Sequence, residues 1–290
     1  MVDFPTYLAE GARWIEAALD RLAPPATTRP AALHAAMRHS LFAGGKRLRP
    51  LLCAASAEAC GGTRDAALLP AAAIECLHTY TLIHDDLPCM DDDDLRRGVP
   101  TCHKAYGEAT ALLAGDALQA LAFELAARTP VAALAIVREL AAAAGSTGVV
   151  GGQVEDMLGE HRPPDADRLR FIQRHKTGDL IVCACRMGVL AASGSPAALA
   201  AATRYAAAAG EAFQIADDLL NATATAEQLG KAVGTDAARE KTTALSVHGL
   251  AGARTRLDDL IAEALAALAG FPGDAAPLAA LARHVAARKN

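Results

Sequence analysis

Apolar residues recur at three- and four-residue intervals along most of the chain, which is the spacing that places them on one face of an α-helix. No stretch alternates polar and apolar residues as a half-buried strand would. The pattern therefore predicts an all-α protein, a bundle of about ten or more helices with ligand sites between facing helices. The predicted helices cover residues 4–22, 31–43, 50–60, 65–87, 106–128, 130–144, 149–159, 165–192, 196–220, 242–269 and 275–287.

Composition supports the helical prediction and narrows the class of protein. The chain is 52% hydrophobic and only 4% aromatic, and much of its apolar content is alanine, the strongest helix former. We expect one domain over residues 1–290, because helical enzymes of this size can share one large core. The net charge of -5 argues against a general nucleic-acid binder.

Three features of the sequence indicate the cellular compartment of the protein: its cysteines, its N-terminus and its long apolar runs. The seven cysteines include no CxxC pair and no zinc-like spacing, so we expect reduced thiols in a cytoplasmic protein. The first turns carry Asp3, Glu10 and Arg13 and lack the layout of a secretion signal. Charges such as Asp116 and Glu124 interrupt the apolar runs, so we expect no membrane insertion.

Six carboxylates crowd the end of one predicted apolar helix, at positions 85, 86 and 91–94. Negative charge there opposes the helix dipole and needs a cation nearby. Pro88 should end the helix, so a bent backbone can bring Asp85 or Asp86 beside Asp91 or Asp92. Magnesium takes oxygen ligands together with substrate phosphate, so the cluster predicts Mg²⁺ and a phosphate-bearing substrate. A solvated acidic loop or a surface salt-bridge network is the alternative.

A second aspartate pair, Asp217-Asp218, lies in another apolar run, and Asn221 follows one turn after Asp217 on the same face. Paired carboxylates in a low-dielectric environment repel each other unless a metal or a proton relieves them. Two such pairs in one chain favour a diphosphate site with several metal ions. General acid/base catalysis, as in glycosidases, is the competing interpretation, but no aromatic platform for a sugar is evident.

Three basic segments could supply the positive charge that diphosphate needs. Each joins a glycine or another small residue to cations, so that backbone N–H groups and side chains can approach phosphate together. Arg96 and Arg97, directly after the first acidic cluster, add guanidinium groups that can bind phosphate bidentately. The segments are Gly44-Gly45-Lys46-Arg47-Leu48-Arg49-Pro50, His175-Lys176-Thr177-Gly178, and Gly230-Lys231 with Lys241.

Taken in order, with His78 and with Phe213-Gln214 before the second aspartate pair, these motifs resemble those of the trans-isoprenyl diphosphate synthases. The match looks closest to bacterial farnesyl diphosphate synthases and covers nearly the whole chain. The resemblance implies the all-α isoprenoid synthase fold, usually as a homodimer. It also implies Mg²⁺ ions that bridge two aspartate-rich motifs on opposite walls of a central cavity.

The resemblance implies a role for each matching residue. Isopentenyl diphosphate should be bound by Lys46, Arg49, His78 and Arg97. The allylic diphosphate should be surrounded by Arg96, Lys176, Thr177, Gln214 and Lys231, with Lys241 as a further ligand. The metal ligands should be Asp85, Asp86 and Asp91 on one wall and Asp217 and Asp218 on the other. The catalytic set should be Asp85, Asp86, Asp91, Arg96, Lys176, Asp217 and Lys231.

The implied reaction is the head-to-tail condensation of isopentenyl diphosphate with dimethylallyl or geranyl diphosphate. Metal ions and cations stabilise the departing diphosphate, the isopentenyl alkene attacks the allylic carbocation, and a proton is lost. Thr81 lies one turn before Asp85, and the bulky Tyr80 beside it should stop the growing tail, as in fifteen-carbon producers. We therefore expect farnesyl diphosphate, and a longer product from Tyr80→Ala. A geranylgeranyl or geranyl product is the alternative.

Two departures from the family pattern keep other functions open. Asn221 replaces an aspartate, and a neutral amide is a weaker magnesium ligand. Glu240 replaces a glycine and adds negative charge beside Lys241. A terpene cyclase would need no isopentenyl site, and a catalytically weak regulatory subunit is the non-enzymatic alternative. We interpret His84, beside the aspartates, as a hydrogen-bonded core histidine and not as a general base.

Overall fold

The structure is a computed structural model that describes residues 3–223 and 243–287. Helices supply nearly all the regular structure in these ranges, which confirms the predicted all-α class. Two 3-10 turns, at Arg64–Ala67 and Leu268–Gly270, and a π-helical segment at Gln173–Gly178 lie between the α-helices. The helices are α1 Phe4–Leu22, α2 Ala31–Leu41, α3 Leu48–Ala59, α4 Leu68–Asp85, α5 Cys102–Tyr106, α6 Glu108–Ala127, α7 Ala133–Ala144, α8 Val149–Gly159, α9 Ala166–Ile172, α10 Asp179–Ala191, α11 Pro196–Thr223, α12 Ala244–Ala267 and α13 Ala276–Ala287.

Most helix bounds agree with the apolar pattern, and the differences have local causes. Helix α4 ends at Asp85, two residues before the predicted end, because Pro88 follows closely and cannot continue a helix. The helix predicted at 165–192 contains the π-helical segment, which apolar spacing alone does not distinguish from an α-helix. Gly249 has a φ of 67°, so the backbone is kinked inside α12.

A short hairpin follows the first acidic cluster, where the sequence pattern predicts no strand. Strand β1 Leu95–Arg96 pairs antiparallel with β2 Val99–Pro100. Arg97 and Gly98 form the turn, and both have a positive φ. Strands of two residues are too short to show polar–apolar alternation, which explains why the pattern misses them. The hairpin keeps two arginines close to the end of α4.

The core is built from close helix pairs. Helix α4 packs on α6, α3 on α10, and α11 on α12. Buried alanines are frequent along these contacts and let the backbones approach each other. Gly188 of α10 lies so close to the Cys53 carbonyl of α3 that a Cβ at this position would collide with it. Close packing of this kind makes the helices rigid supports for the side chains described below.

Within the described part of the chain, three helical stretches are long and apolar enough to cross a membrane by length and composition alone: Arg64–Asp85, Glu108–Ala127 and Ala133–Gly159. The expectation that interrupting charges would exclude such stretches is therefore wrong. Alanine-rich helices keep a high mean hydropathy even when a window holds one or two charges. The window in Arg64–Asp85 is 67% buried inside the protein, so its apolar side chains serve the core.

Candidate active site

Asp85 and Asp91 come together at the end of α4. The chain bends after the helix, and the N–H of Asp91 donates to the carbonyl of Asp85 at 2.8 Å. Burial raises the pKa of Asp85 to about 6, against the opposing positive charge of Lys176 and with a further contribution from Asp91. The bend expected at Pro88 thus places two carboxylates near a lysine from the π-helical segment on the facing wall.

Asp86 is buried beside the hairpin and is bound to Arg96. Arg96 Nε donates to Asp86 Oδ1 and Oδ2 at 2.7 and 2.9 Å, and Arg96 Nη2 lies 2.6 Å from Oδ1. Burial raises the pKa of Asp86 even against the bonded guanidinium. Both oxygens of Asp86 therefore accept N–H groups of Arg96. The structure gives Asp86 an orienting role that the sequence does not predict.

Asp218 of α11 is also buried, and it links three elements. Its Oδ1 accepts from Gln214 Nε2 at 3.0 Å, and its Oδ2 accepts from the N–H of Ala244, the first residue of α12, at 2.8 Å. Gln214 Oε1 in turn accepts the hydroxyl of Thr177 at 3.1 Å. The predicted allylic ligands Thr177 and Gln214 are therefore joined in a chain of hydrogen bonds that ends on Asp218.

Asp217 is the residue before Asp218 on α11, and its side chain has different surroundings. It is only partly buried, and its negative charge acts on Arg49 at the start of α3. Because α11 continues without a break to Thr223, Asn221 lies one turn after Asp217, as expected. The predicted ligands Lys231 and Lys241, together with Glu240, lie outside the described residues.

Asp156 of α8 is a site residue that the sequence analysis missed. Its Oδ2 accepts a hydrogen bond from Lys176 Nζ at 2.6 Å, and the carboxylate is 12% exposed. Gly152 lies one turn earlier and lets α8 approach the backbone of Lys176 so closely that a Cβ would overlap it. The available signal was a glycine and an aspartate four residues apart on one face of a predicted helix.

The predicted isopentenyl ligands meet around the start of α3. Arg49 Nη1 donates to His78 Nε2 at 3.1 Å, and Arg97 Nη1 donates to the carbonyl of Gly44. Burial and the nearby arginines lower the pKa of His78 well below its usual range, so its ring is neutral and can accept from Arg49. Burial also lowers the pKa of Arg49 to about 10. Lys46 is exposed in the same loop.

Tyr80 and Thr81, the two predicted chain-length residues, have different surroundings. Tyr80 is buried, and its ring meets that of His84 edge-on with 5.6 Å between ring centres. His84 Nε2 donates to the Leu112 carbonyl of α6 at 3.0 Å, as expected for a hydrogen-bonded histidine. Tyr80 therefore lies in the contact between α4 and α6. Thr81 is partly exposed and shares a helix face with Asp85.

The donors at the end of α4 suit magnesium. Among residues 3–223 and 243–287, no group of three histidine, cysteine or acidic side chains converges closely enough to hold a metal by itself. The pair that does converge, Asp85 and Asp91, offers only oxygen donors, and a cation would relieve its repulsion. Mg²⁺ commonly takes one or two carboxylates and completes its coordination with water and substrate phosphate. The site therefore fits Mg²⁺ that binds together with a diphosphate.

A family model described as polyprenyl synthetase matches residues 30–269. The chain belongs to the polyprenyl synthetase family. Geranylgeranyl pyrophosphate synthase 9, chloroplastic, of Arabidopsis thaliana is 45% identical over an alignment of 298 residues, which covers 99% of this chain and 82% of that relative.

Two solved structures are similar over nearly their whole length. An FPP/GFPP synthase from Zymomonas mobilis is 38% identical with a TM-score of 0.86, covering 98% of this chain and 99% of that one. A geranylgeranyl pyrophosphate synthetase from Pyrococcus horikoshii is 29% identical with a TM-score of 0.90, covering 99% of this chain and 98% of that one.

Membership in the polyprenyl synthetases confirms the resemblance to the trans-isoprenyl diphosphate synthases and the isoprenoid synthase fold. It assigns short-chain prenyl diphosphate synthesis, a prenyl transfer, to this chain. The expected farnesyl product is not confirmed. The names of these relatives favour the geranylgeranyl alternative, since both the plant enzyme and the Pyrococcus horikoshii enzyme are described as geranylgeranyl synthases.

Proposed function

We propose that this polyprenyl synthetase condenses isopentenyl diphosphate with allylic diphosphates in a Mg²⁺-dependent reaction and extends the chain to geranylgeranyl diphosphate. The observation that carries the proposal is the bend that bonds Asp91 to Asp85 at the end of α4, with Lys176 of another element close enough for its charge to act on Asp85. The 45% identity to a plant geranylgeranyl synthase over 99% of the chain supports the twenty-carbon product.

In this proposal the two diphosphates are held by separate sets of residues. Isopentenyl diphosphate is held by Lys46, Arg49, His78 and Arg97. The allylic diphosphate is held by Arg96, Lys176, Thr177 and Gln214, with Lys231 and Lys241 of the segment outside the described residues. Separate sets keep the nucleophilic alkene and the allylic carbon of the two substrates in a fixed mutual orientation.

Asp85, Asp91 and Asp217 are proposed to hold Mg²⁺, with Asp86 and Asp218 beside them. Both oxygens of Asp86 and of Asp218 accept hydrogen bonds from protein donors, which fixes the orientation of these two carboxylates. When bound, Mg²⁺ supplies positive charge that stabilises the departing diphosphate. Lys176, held by Asp156, adds a fixed cation at the same place. Departure leaves an allylic carbocation, which the isopentenyl alkene attacks before a proton is lost.

A farnesyl product is the second candidate, and one residue favours it. Tyr80 is the aromatic side chain expected to limit the tail, five residues before Asp85. The packing of its ring against His84, whose Nε2 is bonded to the Leu112 carbonyl of α6, supports the longer product, because a ring held in this contact does not block a tail that passes Thr81. The two candidates differ in what Tyr80→Ala does. The product becomes longer if Tyr80 stops the tail, and it stays the same if the ring lies outside the tail's path.

We further propose that the protein is a single domain over residues 1–290 and a cytoplasmic homodimer, without nucleic-acid partners and without membrane insertion. Adjacent apolar side chains on α6, Leu112 and Leu113, are about half exposed, at 47% and 56%, and are suited to a contact between copies. Light scattering of the purified protein tests the dimer, and a monomer would contradict it.

The function is tested by incubating purified protein with Mg²⁺, isopentenyl diphosphate and each allylic diphosphate in turn, with product length read by mass spectrometry. We expect geranylgeranyl diphosphate from dimethylallyl, geranyl and farnesyl primers, and none after chelation. Farnesyl diphosphate as the end product would favour the second candidate. Cyclised hydrocarbon without isopentenyl diphosphate would indicate a terpene cyclase, and inactivity that a partner subunit restores would indicate a regulatory chain.

A further inference from the structure

The guanidinium of Arg47 is enclosed by acceptors from three helices, although it belongs to the loop beside the proposed isopentenyl site. Arg47 Nη1 donates to Glu75 Oε1 of α4 at 2.7 Å, and Nη2 donates to the Leu41 carbonyl at the end of α2 at 2.7 Å. Glu16 of α1 lies 3.3 Å from Nη2. The Arg47 side chain has no exposed surface, and that of Glu75 is 2% exposed. A buried ion pair of this kind tolerates the loss of neither partner.

The backbone around Arg47 has a conformation that side-chain bonds must stabilise. Gly44 and Gly45 have φ values of 87° and 125°, and Arg47 itself has a φ of 49°, directly before α3 begins. A left-handed conformation is unfavourable for a residue with a Cβ, so it persists only where the surroundings hold it. The hydrogen bonds of the Arg47 guanidinium to Glu75 and Leu41 keep the backbone in this conformation. They thereby determine where Lys46 and Arg49, on either side, place their charges.

Glu75 also acts on the other arginines of the cluster. His78, the partner of Arg49, lies one turn after Glu75 on the same face of α4. Removal from water lowers the pKa of both Arg49 and Arg97, and the negative charge of Glu75 is the largest effect that opposes it in each case. Arg97 is tied to the same loop through the Gly44 carbonyl. The buried carboxylate of Glu75 therefore binds Arg47, and its negative charge also favours the protonated forms of Arg49 and Arg97.

We infer that Arg47 is a positioning residue for isopentenyl diphosphate. Held by Glu75, it keeps the loop at 44–49 in the shape that directs Lys46 and Arg49 to the diphosphate, without touching the substrate itself. The inference rests on the proposed function, because it presumes that this loop binds isopentenyl diphosphate. The allylic diphosphate is held by residues of other elements, namely the hairpin, the π-helical segment and α11, so we expect its binding to change little when Arg47 is replaced.

The test compares the steady-state constants of Arg47→Gln, Arg47→Lys and the wild-type protein. Arg47→Gln should raise the KM for isopentenyl diphosphate by about tenfold or more, since misplaced binding groups commonly cost that much, and leave the KM for the allylic substrate within about twofold. Arg47→Lys keeps the charge opposite Glu75 but loses most of the other bonds, so it should give an intermediate KM. If Arg47→Gln does not fold, Arg47→Lys decides by the same selective increase.

Arg186→Gln is the matched control, because Arg186 forms a two-pronged ion pair with Glu139, at 2.6 and 2.7 Å, between α7 and α10. It should lower the Tm and leave both KM values unchanged. Equal increases in both KM values for the Arg47 variants, or an unchanged KM for isopentenyl diphosphate, would overturn the inference. A wild-type protein that elongates no primer would instead overturn the proposed function.

Discussion

The carboxylate of Asp218 accepts the backbone N–H of Ala244 at 2.8 Å and so joins α11 to the start of α12. Its other oxygen accepts from Gln214 at 3.0 Å. Asp217, the neighbouring residue on α11, lies instead where its charge reaches Arg49. The same division occurs on the opposite wall, where Asp86 is bonded to Arg96 while Asp85 is near Lys176. In each pair the second aspartate is bonded to protein donors, and we expect the first to hold the metal ion.

This division predicts different consequences for the two aspartates of α11. Asp218→Ala leaves a buried N–H of Ala244 without an acceptor, so it should lower the free energy of unfolding by about 2 kcal/mol. The corresponding fall in Tm is roughly 4–8 °C for a protein of this size. Asp217→Ala should abolish elongation, because it removes a carboxylate proposed to hold Mg²⁺. Calorimetry and product assays of both variants provide the check, and an unchanged Tm for Asp218→Ala would contradict the assignment.

Asp85 should destabilise the metal-free protein at neutral pH. Its pKa rises from 3.8 to about 6 on folding, chiefly through burial, so the folded state binds the proton more tightly than the unfolded state. Stability is therefore lost as the pH increases through this window. A tenfold change in proton affinity corresponds to about 1.4 kcal/mol, so ionised Asp85 costs at most about 3 kcal/mol.

Asp85→Asn should consequently be inactive and yet more stable than the wild type in the presence of a chelator. The gain should be full above pH 6 and should shrink as the pH falls towards 3.8, which urea titrations at pH 7.5 and pH 5 would show. Asp94→Asn is the control, because its hydrogen bond to Lys104 lowers the pKa of Asp94 instead. A less stable Asp85→Asn protein at pH 7.5 would show that the carboxylate is not desolvated.

The spacing of apolar residues predicted most helices, because each helix buries one face and its apolar residues therefore recur every three or four positions. Helix α8, for example, has the bounds that the pattern predicts, Val149–Gly159. The motifs also named residues that interact across distant parts of the chain, since Asp85 is near Lys176 and Thr177 is bonded to Gln214. These features depend on local spacing and residue type, which a single sequence displays.

Which aspartate of each pair is bonded to protein donors could not be predicted in this way. Adjacent residues on a helix point in different directions, and the choice depends on what packs beside them. Asp86 is bonded to Arg96 of a hairpin whose strands are too short to show polar–apolar alternation. Asp218 is bonded to the first N–H of α12. Asp156 was missed because its partner Lys176 lies 20 residues away on a different helical element.

The ion pair of Asp86 and Arg96 should control affinity for the allylic diphosphate. Arg96 meets both oxygens of Asp86, so the plane of its guanidinium is held in one orientation. Arg96→Lys keeps the charge but loses this planar contact, and we expect the KM for the allylic substrate to rise by about tenfold or more. The KM for isopentenyl diphosphate should change little. Arg128→Lys, in an exposed ion pair with Glu124 on α6, is the control and should alter neither KM.

Thr81 should set the length of the product more directly than Tyr80. Thr81 is partly exposed on the face of α4 that carries Asp85 one turn later, whereas Tyr80 is packed against His84. A phenylalanine at position 81 would extend into the space through which the tail grows, so Thr81→Phe should shorten the main product by at least one five-carbon unit. Chain lengths measured by mass spectrometry from a geranyl primer would show this shift. If Thr81→Phe leaves the product unchanged while Tyr80→Ala lengthens it, the tail runs beside Tyr80, and the farnesyl candidate becomes the better account of this site.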